Sequence, residues 1–487
     1  MNTVYDVAII GGGVIGCAIA RELSRYRLKC LLIERNAEPA FGTTKTNSGI
    51  IHSGQDSSPH TLKGRLVVEA NPMFDSLQAE LGFGFRRIGA LVVARSSAEL
   101  EELERQKRQG QEKGVPGLEL WDADKLHREE PNLSPELLAA LYAPSAGVIN
   151  PYEFAFALLE SAIRNGVELW VEATVERIDV DQDVLSLSTT KGQAHARYVL
   201  NCAGVYADTI AAMVGERSFS IRPRKGEEYM LDKRLRGLVR RLVFPLPTAV
   251  TKGILIIPTF DGTIMVGPTA HDTNDREDVS TTEAGADEVF SAVGEICPSI
   301  TKRDTITEFA GLRAASDSGD FIIGPSAVRG FINVAGIQSP GLTAAPAIAR
   351  YVRELLEAEG LQLEARDEFQ ALLEGPPRFA QKSVAEQREA IAKDPRFARV
   401  ICRCELVTEA EIHHAIDHGA RTLDGIKFRS RAGMGRCQGG FCTLRCMDIL
   451  SERLQIPFSQ VSKRGAASWL VQPMLDAQSE ANEASKE

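Results

Sequence analysis

Cysteines near the C-terminal end of the chain form the clearest metal-binding pattern in the sequence. Five of the nine cysteines fall between positions 402 and 446, and four of them form two close pairs, Cys402 with Cys404 and Cys437 with Cys442. Four thiolates in two pairs can complete an S4 ligand set for a zinc ion or for a 2Fe–2S cluster. Cys446 lies one helical turn after Cys442 and is predicted to be a packed thiol, although it could substitute as a ligand.

Two features of this segment favour the cluster over zinc. C-x-C spacing is unusual for a zinc ribbon, which generally uses C-x-x-C. Glycines around Cys437 free backbone N–H groups to approach cluster sulfurs, and such contacts would raise the reduction potential. These glycines are Gly433, Gly435, Gly439 and Gly440. Structural zinc and an unmetallated pair of cysteines stay open as alternatives.

A second candidate site opens the chain, in a glycine-rich turn with G-x-G-x-x-G spacing. Gly11 can make the tight turn, Gly13 lets the backbone approach a pyrophosphate, and Gly16 lets a helix pack on a strand. Unpaired N–H groups at the start of the following helix favour an anion. Glu34, 23 positions after Gly11, can accept a hydrogen bond from a ribose hydroxyl. The pattern predicts a dinucleotide site.

The elements that would position this turn are visible around it. The apolar run Val7–Ile10 has the length and β-branched content of a buried strand, and so does Cys30–Ile33. Between them, Cys17–Tyr26 is predicted to be a helix with one apolar face. A strand, a glycine turn, a helix and a second strand make a complete β-α-β unit, which is the context that gives a G-x-G-x-x-G motif its meaning.

Four further segments carry a family resemblance. The polar loop Phe41–Gly54 (FGTTKTNSGIIHSG) and the downstream segments Asn201–Gly204, Gly311–Arg313 and Gly336–Thr343 resemble the D-amino-acid oxidase-like superfamily of FAD enzymes. Within it, the chain is most similar to the FAD subunit of anaerobic-type glycerol-3-phosphate dehydrogenase, and L-2-hydroxyglutarate dehydrogenase is a close relative. The resemblance implies an α/β fold, with a Rossmann-type FAD-binding domain and an interleaved antiparallel β-sheet substrate domain.

The resemblance also implies which residues hold the flavin dinucleotide. A strand like the one that includes Val175 brings its backbone to the adenine in the family, and the polar loop wraps the rest of the flavin. The implied FAD-binding residues, besides Gly11, Gly13, Gly16 and Glu34, are Arg35, Thr43, Thr44, Asn47, Ser48, Val175, Ala203, Gly204, Gly311, Gly341, Leu342 and Thr343.

Three residues match family positions at the substrate. Arg313 matches the residue that binds the substrate carboxylate or phosphate, and a guanidinium suits either by bidentate hydrogen bonding. His52 matches a histidine near the isoalloxazine ring, where it could accept the hydroxyl proton as hydride leaves carbon; in other flavoproteins such a histidine is flavin-linked or structural. Lys225 matches a lysine-glycine step and could add a second positive charge, although a solvated surface cluster is an equal alternative. The sequence does not place Lys225, Arg224 or Lys252 relative to Arg313.

The cysteine segment resembles the bacterioferritin-associated-ferredoxin-like domain, a small helical 2Fe–2S module. Substrate oxidation delivers two electrons as a hydride, whereas iron–sulfur clusters pass one electron at a time. A flavin beside a cluster therefore predicts a dehydrogenase that passes electrons to another protein, a quinone or another carrier, and not an oxidase. The glycerol-3-phosphate relatives often work with additional subunits at the membrane, which implies heteromeric electron-accepting subunits.

The resemblance divides the chain into five parts. The predicted parts are an FAD-binding domain (1–80, 148–215 and 310–358), a substrate domain (81–147 and 216–309), a linker (359–398), a 2Fe–2S cysteine domain (399–458) and a polar tail (459–487). Several elements are also predicted from pattern. They are strands at Phe85–Ala94, Glu168–Val175 and Ile221–Leu231, and helices at Ser97–Lys113, Ala344–Ala358, Glu409–Gly419 and Cys442–Leu454.

Composition narrows the function classes. The 487 residues carry a net charge of −10, which disfavours a general nucleic-acid role. The longest apolar run is too short to span a bilayer and is interrupted by glycines, and the N-terminus enters a strand without a signal peptide. The scattered cysteines are predicted to be reduced thiols. We expect a cytoplasmic protein, with a peripheral place at the inner membrane through partner subunits as the alternative.

Four functions compete at this point. The first is oxidation of sn-glycerol 3-phosphate to dihydroxyacetone phosphate by hydride transfer to flavin, with electrons leaving through a 2Fe–2S cluster. The second is oxidation of L-2-hydroxyglutarate or another 2-hydroxy acid, and the third is oxidation of an amino acid or opine. The fourth is a non-catalytic electron-transfer or assembly subunit. The cysteine segment favours the first.

Overall fold

A computed structural model describes residues 3–181, 183–246 and 253–472. The chain forms two structural units. The first consists of Met1–Arg35 and Pro39–Gly375, and the second of Asn36–Glu38 and Pro376–Glu487. The change of unit after Gly375 falls inside the predicted linker, while the finer division into FAD-binding and substrate domains stays a prediction. Lys252 and the end of the predicted tail lie outside the described residues. Within the described part of the chain, no helix is both long and apolar enough to cross a membrane.

A mostly parallel sheet carries the glycine turn. Its first strand, Val4–Ile10, lies between Cys30–Ile33 and the second half of Gly192–Asn201, and runs parallel to both. The sheet continues outward to Glu168–Trp170 on one side and to Phe331–Ala335 on the other, again in parallel. Val7–Ile10, Cys30–Ile33 and Phe331–Ala335 are buried on both faces of the sheet, which explains their continuous apolar runs. Its antiparallel strands are Val175–Asp181, Val184–Thr189 and Ile322–Pro325.

Helices cover this sheet on both faces. Val14–Leu23 packs against Pro151–Arg164 and Gly341–Ala358. The first of these helices begins three residues before its predicted start, because Gly13 and not a later residue serves as its N-cap. The same face also carries the helices Leu62–Ala70 and Met73–Leu81. The opposite face of the sheet is covered by the helix Ala207–Met213.

A second, nine-stranded sheet is almost entirely antiparallel. Its longest pair joins Ile221–Leu231, which has the predicted bounds, to Thr305–Ser316. Its other strands are Ala90–Ala94, Glu119–Asp122, Ala139–Ala143, Leu242–Pro245, Leu255–Pro258, Ile264–Gly267 and His271–Asp272. Its helices are Ser97–Glu112, Ala123–Glu129 and Glu283–Ile296. A separate three-stranded sheet consists of Ile50–Ile51, Gly147–Ile149 and Phe85–Arg87.

Two predicted strands are each divided in the structure. The predicted strand 85–94 forms separate strands in different sheets, because Gly89 between them has a φ of 73°. The predicted strand 168–175 ends at Trp170, and a new strand begins at Val175. Glu172 between them has a φ of 53°, a left-handed conformation that ends an extended run.

The second unit is mainly helical and has its own apolar core. The helices Glu409–Asp417 and Thr443–Leu454 agree with the predicted helices to within two residues. The other elements are the helices Val384–Lys393 and Leu423–Ser430 and the short strands Val400–Cys402 and Val407–Thr408. The core includes Ile412, Ile426, Met447 and Leu450. Short 3₁₀ turns in the two units are Thr43–Thr46, Gly204–Tyr206, Lys233–Leu235, Lys302–Asp304, Phe379–Gln381, Pro395–Ala398 and Phe458–Gln460.

Candidate functional site

Each of the three glycines of the first turn is explained by what a side chain at its position would contact. Gly11 has a φ of 112°, and a Cβ there would lie 2.4 Å from the Cys202 carbonyl oxygen. A Cβ on Gly16 would lie 2.0 Å from the carbonyl oxygen of Gly11, so the helix could not approach the strand. At Gly13 an added Cβ would come no closer than 3.4 Å to another atom, the hydroxyl of Thr44. The backbone at Gly13 is therefore the part of the turn that stays open to a ligand.

Acidic and basic side chains follow the second strand of this unit. The carboxylate of Glu34 is buried and accepts a hydrogen bond from the Gly12 N–H at 2.8 Å. The guanidinium of Arg35 lies 4.3 Å from the ring centroid of Tyr206 and within 3.4 Å of the Glu277 carboxylate. These partners raise the pKa of Arg35, against the opposing effect of burial. The predicted contact of Glu34 with a ribose hydroxyl stays a prediction.

The other predicted dinucleotide residues lie around the same sheet. Val175 belongs to the core cluster that also contains Ile10 and Ile33, at the ends of the first two strands. Ala203 and Gly204 follow the strand that ends at Asn201, and Gly204 adopts a φ of 58°. Gly341 and Leu342 open the helix Gly341–Ala358, and the Gly341 N–H donates to the Gln338 carbonyl oxygen at 2.7 Å.

The polar loop 41–54 is held at several points along its length. The Thr44 hydroxyl accepts a hydrogen bond from the Val14 N–H at 3.0 Å, at the start of the helix after the glycine turn. The Thr43 hydroxyl donates to the Leu312 carbonyl oxygen at 2.7 Å. Asn47 accepts from the Gly49 N–H at 2.8 Å. The loop thereby connects the glycine turn to the strand that carries Arg313.

His52 lies at the far end of this loop, beside a cavity. Its backbone N–H donates to the Thr343 hydroxyl at 3.0 Å, and Thr343 in turn donates to the Ile50 carbonyl oxygen. The imidazole ring lies 6.0 Å from the ring of Phe244, centroid to centroid. Both side chains line a small cavity, together with Ile50 and Val92. The histidine is therefore fixed through its backbone while its ring borders this cavity.

Arg313 lies on the long strand pair of the second sheet. Its guanidinium donates to the Thr269 carbonyl oxygen at 3.2 and 3.3 Å. It passes over Gly226 of the paired strand, where a Cβ would lie 2.5 Å from Nη2. Burial lowers the pKa of Arg313, and Glu228 opposes that effect while Arg224 adds to it. A half-buried guanidinium whose neutral partner is a carbonyl is a cation that an anionic ligand would stabilise.

The two cations before Gly226 face opposite sides of the strand. Arg224 pairs directly with Arg313 in the register and so shares its face, where it forms an ion pair with Asp272 at 2.6 Å. Lys225 points to the other face, where it is buried and binds the Asp278 carboxylate at 2.9 Å. The structure thus brings Arg224, and not Lys225, next to Arg313. The role of Lys225 at the substrate stays a prediction that this internal partner does not favour.

Glu228 is a buried carboxylate that the sequence reasoning missed. It is 2% exposed on the same strand, and its carboxylate accepts a hydrogen bond from the Ser48 hydroxyl. Its other oxygen, Oε2, has no hydrogen-bond partner among the described residues. Burial raises the pKa of Glu228 to about 7, although Ser48 and Arg313 act in the opposite direction. The available signal was K-G-E-E-Y, in which two consecutive glutamates of one strand must face opposite sides.

The four predicted metal ligands lie in two pairs. The sulfurs of Cys404 and Cys437 are 3.4 Å apart, and the nearby Cys442 thiol raises the pKa of Cys402. Cys446 is buried and interacts with the Cys442 thiol. Among the described residues, no group of three or more histidine, cysteine or acidic side chains has the geometry of a single-metal site. Two pairs match two irons with two thiolates each, and fit a 2Fe–2S cluster better than tetrahedral zinc.

The residues at the glycine turn fit a bound FAD. An anion can reach the open backbone at Gly13, and the N-terminal end of the helix Val14–Leu23 favours negative charge there. A family model described as FAD-dependent oxidoreductase (DAO) matches residues 6–355. The chain belongs to this family. A second model, described as a BFD-like [2Fe-2S] binding domain, matches residues 400–452, which include all four paired cysteines. The cofactors are FAD and a 2Fe–2S cluster.

Several relatives resemble the chain over much of its length. It is 42% identical to a glycerol 3-phosphate dehydrogenase of Caloramator mitchellensis, over 96% of this chain and 98% of that protein. It is 31% identical to a glycerol 3-phosphate oxidase of Mycoplasma genitalium, over 73% of this chain and 95% of that protein. A solved structure of L-alpha-glycerophosphate oxidase from Mycoplasma pneumoniae with FAD bound has a TM-score of 0.73 at 30% identity, and covers 76% of this chain and 98% of that chain.

Proposed function

We propose that this FAD-dependent oxidoreductase is a dehydrogenase that oxidises sn-glycerol 3-phosphate to dihydroxyacetone phosphate. The observation that carries this proposal is the match to a glycerol 3-phosphate dehydrogenase at 42% identity over both units of the chain. The half-buried cation Arg313 is a suitable partner for the anionic end of such a substrate.

Arg313 and His52 are the side chains we assign to the substrate. Arg313 holds the phosphate by charge-assisted hydrogen bonds, and its contact with the Thr269 carbonyl fixes the orientation of the guanidinium. His52 borders the cavity and accepts the proton of the substrate hydroxyl as hydride leaves the carbon. Bound FAD supplies the hydride acceptor. Gly311 keeps the polar loop close to Arg313, because a Cβ there would lie 2.2 Å from the Thr46 hydroxyl.

The cysteine domain supports the transfer of electrons to a carrier other than oxygen. The match to the oxidase of Mycoplasma genitalium includes 95% of that protein but only 73% of this chain. The matched dehydrogenase is covered over 98% of its length by 96% of this chain. The glycerol 3-phosphate relative that matches nearly the whole chain, and so extends into residues 400–452, is thus named a dehydrogenase, whereas the one matched over 73% is named an oxidase.

The electron acceptor, in this proposal, is a separate redox protein or a quinone. Phe441 and Leu444, which flank the predicted ligand Cys442, are 79% and 61% exposed. Cys404 is also exposed. Exposed apolar side chains beside a cluster are suited to a transient redox partner. We place this encounter in the cytoplasm or at the inner face of the membrane, through partner subunits.

Anaerobic reduction of the bound flavin tests the proposal. The FAD-loaded protein is mixed with glycerol 3-phosphate, L-2-hydroxyglutarate, lactate or amino acids, and the flavin absorbance near ~450 nm is followed. Rapid bleaching by glycerol 3-phosphate, and not by the others, is the expected result. Bleaching by L-2-hydroxyglutarate alone would refute the proposed substrate and would mean that Arg313 binds a carboxylate and not a phosphate. If no compound bleaches the flavin, the proposed activity is wrong.

A further inference from the structure

Glu228 and Arg313 lie on one face of the long strand pair. Gly226 and Glu228 are two residues apart on one strand and therefore face the same side of the sheet. Arg313 extends over Gly226, with Nη2 at 2.5 Å from an ideal Cβ there, and thus lies next to the Glu228 side chain. The two side chains act on each other electrostatically, each in the direction expected for opposite charges.

The polar loop closes this face from above. Thr46 occupies the space over Gly311, which pairs with Gly226 in the register. Ser48 donates a hydrogen bond to Oε1 of Glu228. The carboxylate is thereby buried between a cation and a loop that belongs to the candidate flavin site, and its Oε2 has no hydrogen-bond partner among the described residues. An ionised carboxylate with one unsatisfied buried oxygen is costly, whereas the protonated acid is much less so.

We propose that Glu228 is the internal counter-ion of Arg313, and that an anion binding at Arg313 drives the uptake of a proton by the Glu228 carboxylate. This inference rests on the proposed function only in taking Arg313 as the anion-binding residue. Without a ligand, the positive charge of Arg313 favours the ionised carboxylate. A bound anion neutralises that charge and adds a negative charge nearby, so the ionised carboxylate becomes unfavourable and a proton from solvent neutralises it.

Among the described residues, few charged groups other than Arg313 lie close enough to Glu228 to change its protonation when an anion binds. On its own strand, Arg224 shares its face but is engaged by Asp272. On the paired strand, the charged neighbour is Arg313, and the residue directly opposite is Phe309. Ser48 of the polar loop contacts the Glu228 carboxylate. Gly267, in the strand Ile264–Gly267, lies against the Glu228 side chain. The one other acid named on this face, Asp272, lies opposite Arg224 and pairs with it, so Arg313 is the charge that acts on Glu228.

Calorimetry on the FAD-loaded full chain, kept anaerobic, tests the proposal. The probe is 3-hydroxypropane-1-sulfonate, which carries an anion that does not titrate near neutral pH and lacks the secondary hydroxyl to be oxidised. Binding enthalpies in two buffers of different ionisation enthalpy give the number of protons taken up. With the pKa of Glu228 at about 7, we expect almost no uptake by the wild type at pH 5.5, about half a proton at pH 7 and close to one at pH 8.

Two variants assign the proton. Glu228→Gln should abolish the uptake at pH 8 and remove the weakening of sulfonate binding with rising pH, which reaches at most about tenfold per pH unit in the wild type. Glu308→Gln, on the opposite face of the same sheet, should behave as the wild type does. Proton uptake that is equal in the wild type and in Glu228→Gln would overturn the assignment to Glu228.

The wild type alone keeps the proposal falsifiable if the variant fails to fold. Zero proton uptake at pH 8 on sulfonate binding, or uptake that does not rise between pH 5.5 and pH 8, would overturn the inference. Neither result touches the proposed activity, which depends on bleaching of the flavin by glycerol 3-phosphate. If glycerol 3-phosphate bleaches the flavin and no proton is taken up, the coupling is wrong and the activity stands.

Discussion

The guanidinium of Arg313 lies flat over Gly226, because residue 226 has no side chain. An ideal Cβ at this position would lie 2.5 Å from Nη2 and 3.0 Å from Cζ of Arg313, and 2.9 Å from the Thr269 carbonyl oxygen that the guanidinium contacts. Gly226 thus sets both the position of the cation and its hydrogen bond. The K-G-E-E segment thus serves the anion site through Gly226 as well as through Glu228.

Gly226→Ala should weaken substrate binding more than it slows the chemical step. The added methyl displaces the Arg313 guanidinium, and we expect KM for glycerol 3-phosphate to rise about tenfold or more while kcat changes by a smaller factor. Steady-state kinetics with an artificial acceptor measure both constants. Gly294→Ala is the matched control, because a Cβ at Gly294 meets no atom within 4 Å. An unchanged KM in Gly226→Ala would contradict the placement of the anion at Arg313.

His52→Gln should lower kcat while substrate binding is retained. Loss of a general base typically costs about 10²- to 10⁴-fold in rate, and the backbone contact with Thr343 that holds the loop does not depend on the ring. The measurement is the rate of anaerobic flavin reduction by glycerol 3-phosphate. His271→Gln, at an exposed histidine bound to Glu288, is the control and should reduce its flavin at the wild-type rate. A His52→Gln rate within twofold of wild type would refute a proton-accepting role.

Local pattern was sufficient to predict the elements that surround the site. The first β-α-β unit and the strand Ile221–Leu231 follow from apolar runs bounded by glycine or charged residues. The predicted strand 168–175 failed because the left-handed conformation at Glu172 leaves no signature in a residue that is not glycine. Local pattern therefore located the elements and missed an interruption set by tertiary structure.

The pairing between distant strands could not be predicted from the sequence. Whether Arg224 or Lys225 accompanies Arg313 depends on a register fixed across some ninety residues, and a shift by one residue would exchange the two side chains between faces. The same register places Glu228 against the polar loop through Ser48. The four cysteines could be picked out from their spacing, but the spacing paired Cys402 with Cys404, whereas the structure brings Cys404 to Cys437.

Comparing Cys404→Ser with Cys446→Ser should distinguish a cysteine that binds the cluster from one that only packs beside it. Cys404→Ser removes one of two sulfurs that lie 3.4 Å apart, and we expect the cluster and its EPR signal in the reduced protein to be lost. Flavin reduction by glycerol 3-phosphate should continue, while transfer to one-electron acceptors slows. Cys446→Ser should keep the cluster, because the serine fills the same buried position. Retention of the EPR signal in Cys404→Ser would show that Cys404 is not required as a ligand.

Glu38 should be essential for the stability of the second unit, although it lies only four residues after Glu34. Its carboxylate, 1% exposed, accepts hydrogen bonds from the Arg421 N–H at 2.9 Å, from Arg429 at 2.8 Å and from the Thr422 hydroxyl at 3.2 Å. Glu38→Gln removes the charge that compensates the buried Arg429 guanidinium. We expect the free energy of unfolding of this unit to fall by roughly 3 kcal/mol, since breaking a buried ion pair from one side leaves the other charge desolvated.

Urea unfolding followed by the visible absorbance of the cluster measures this change in the full-length, cofactor-loaded protein. The expected result for Glu38→Gln is loss of the cluster at a clearly lower urea concentration than in the wild type. Glu389→Gln is the control, because Glu389 forms an exposed pair with Lys393 within one helix, and a pair of that kind contributes little to stability. Equal midpoints for Glu38→Gln and Glu389→Gln would mean that Glu38 does not stabilise the unit.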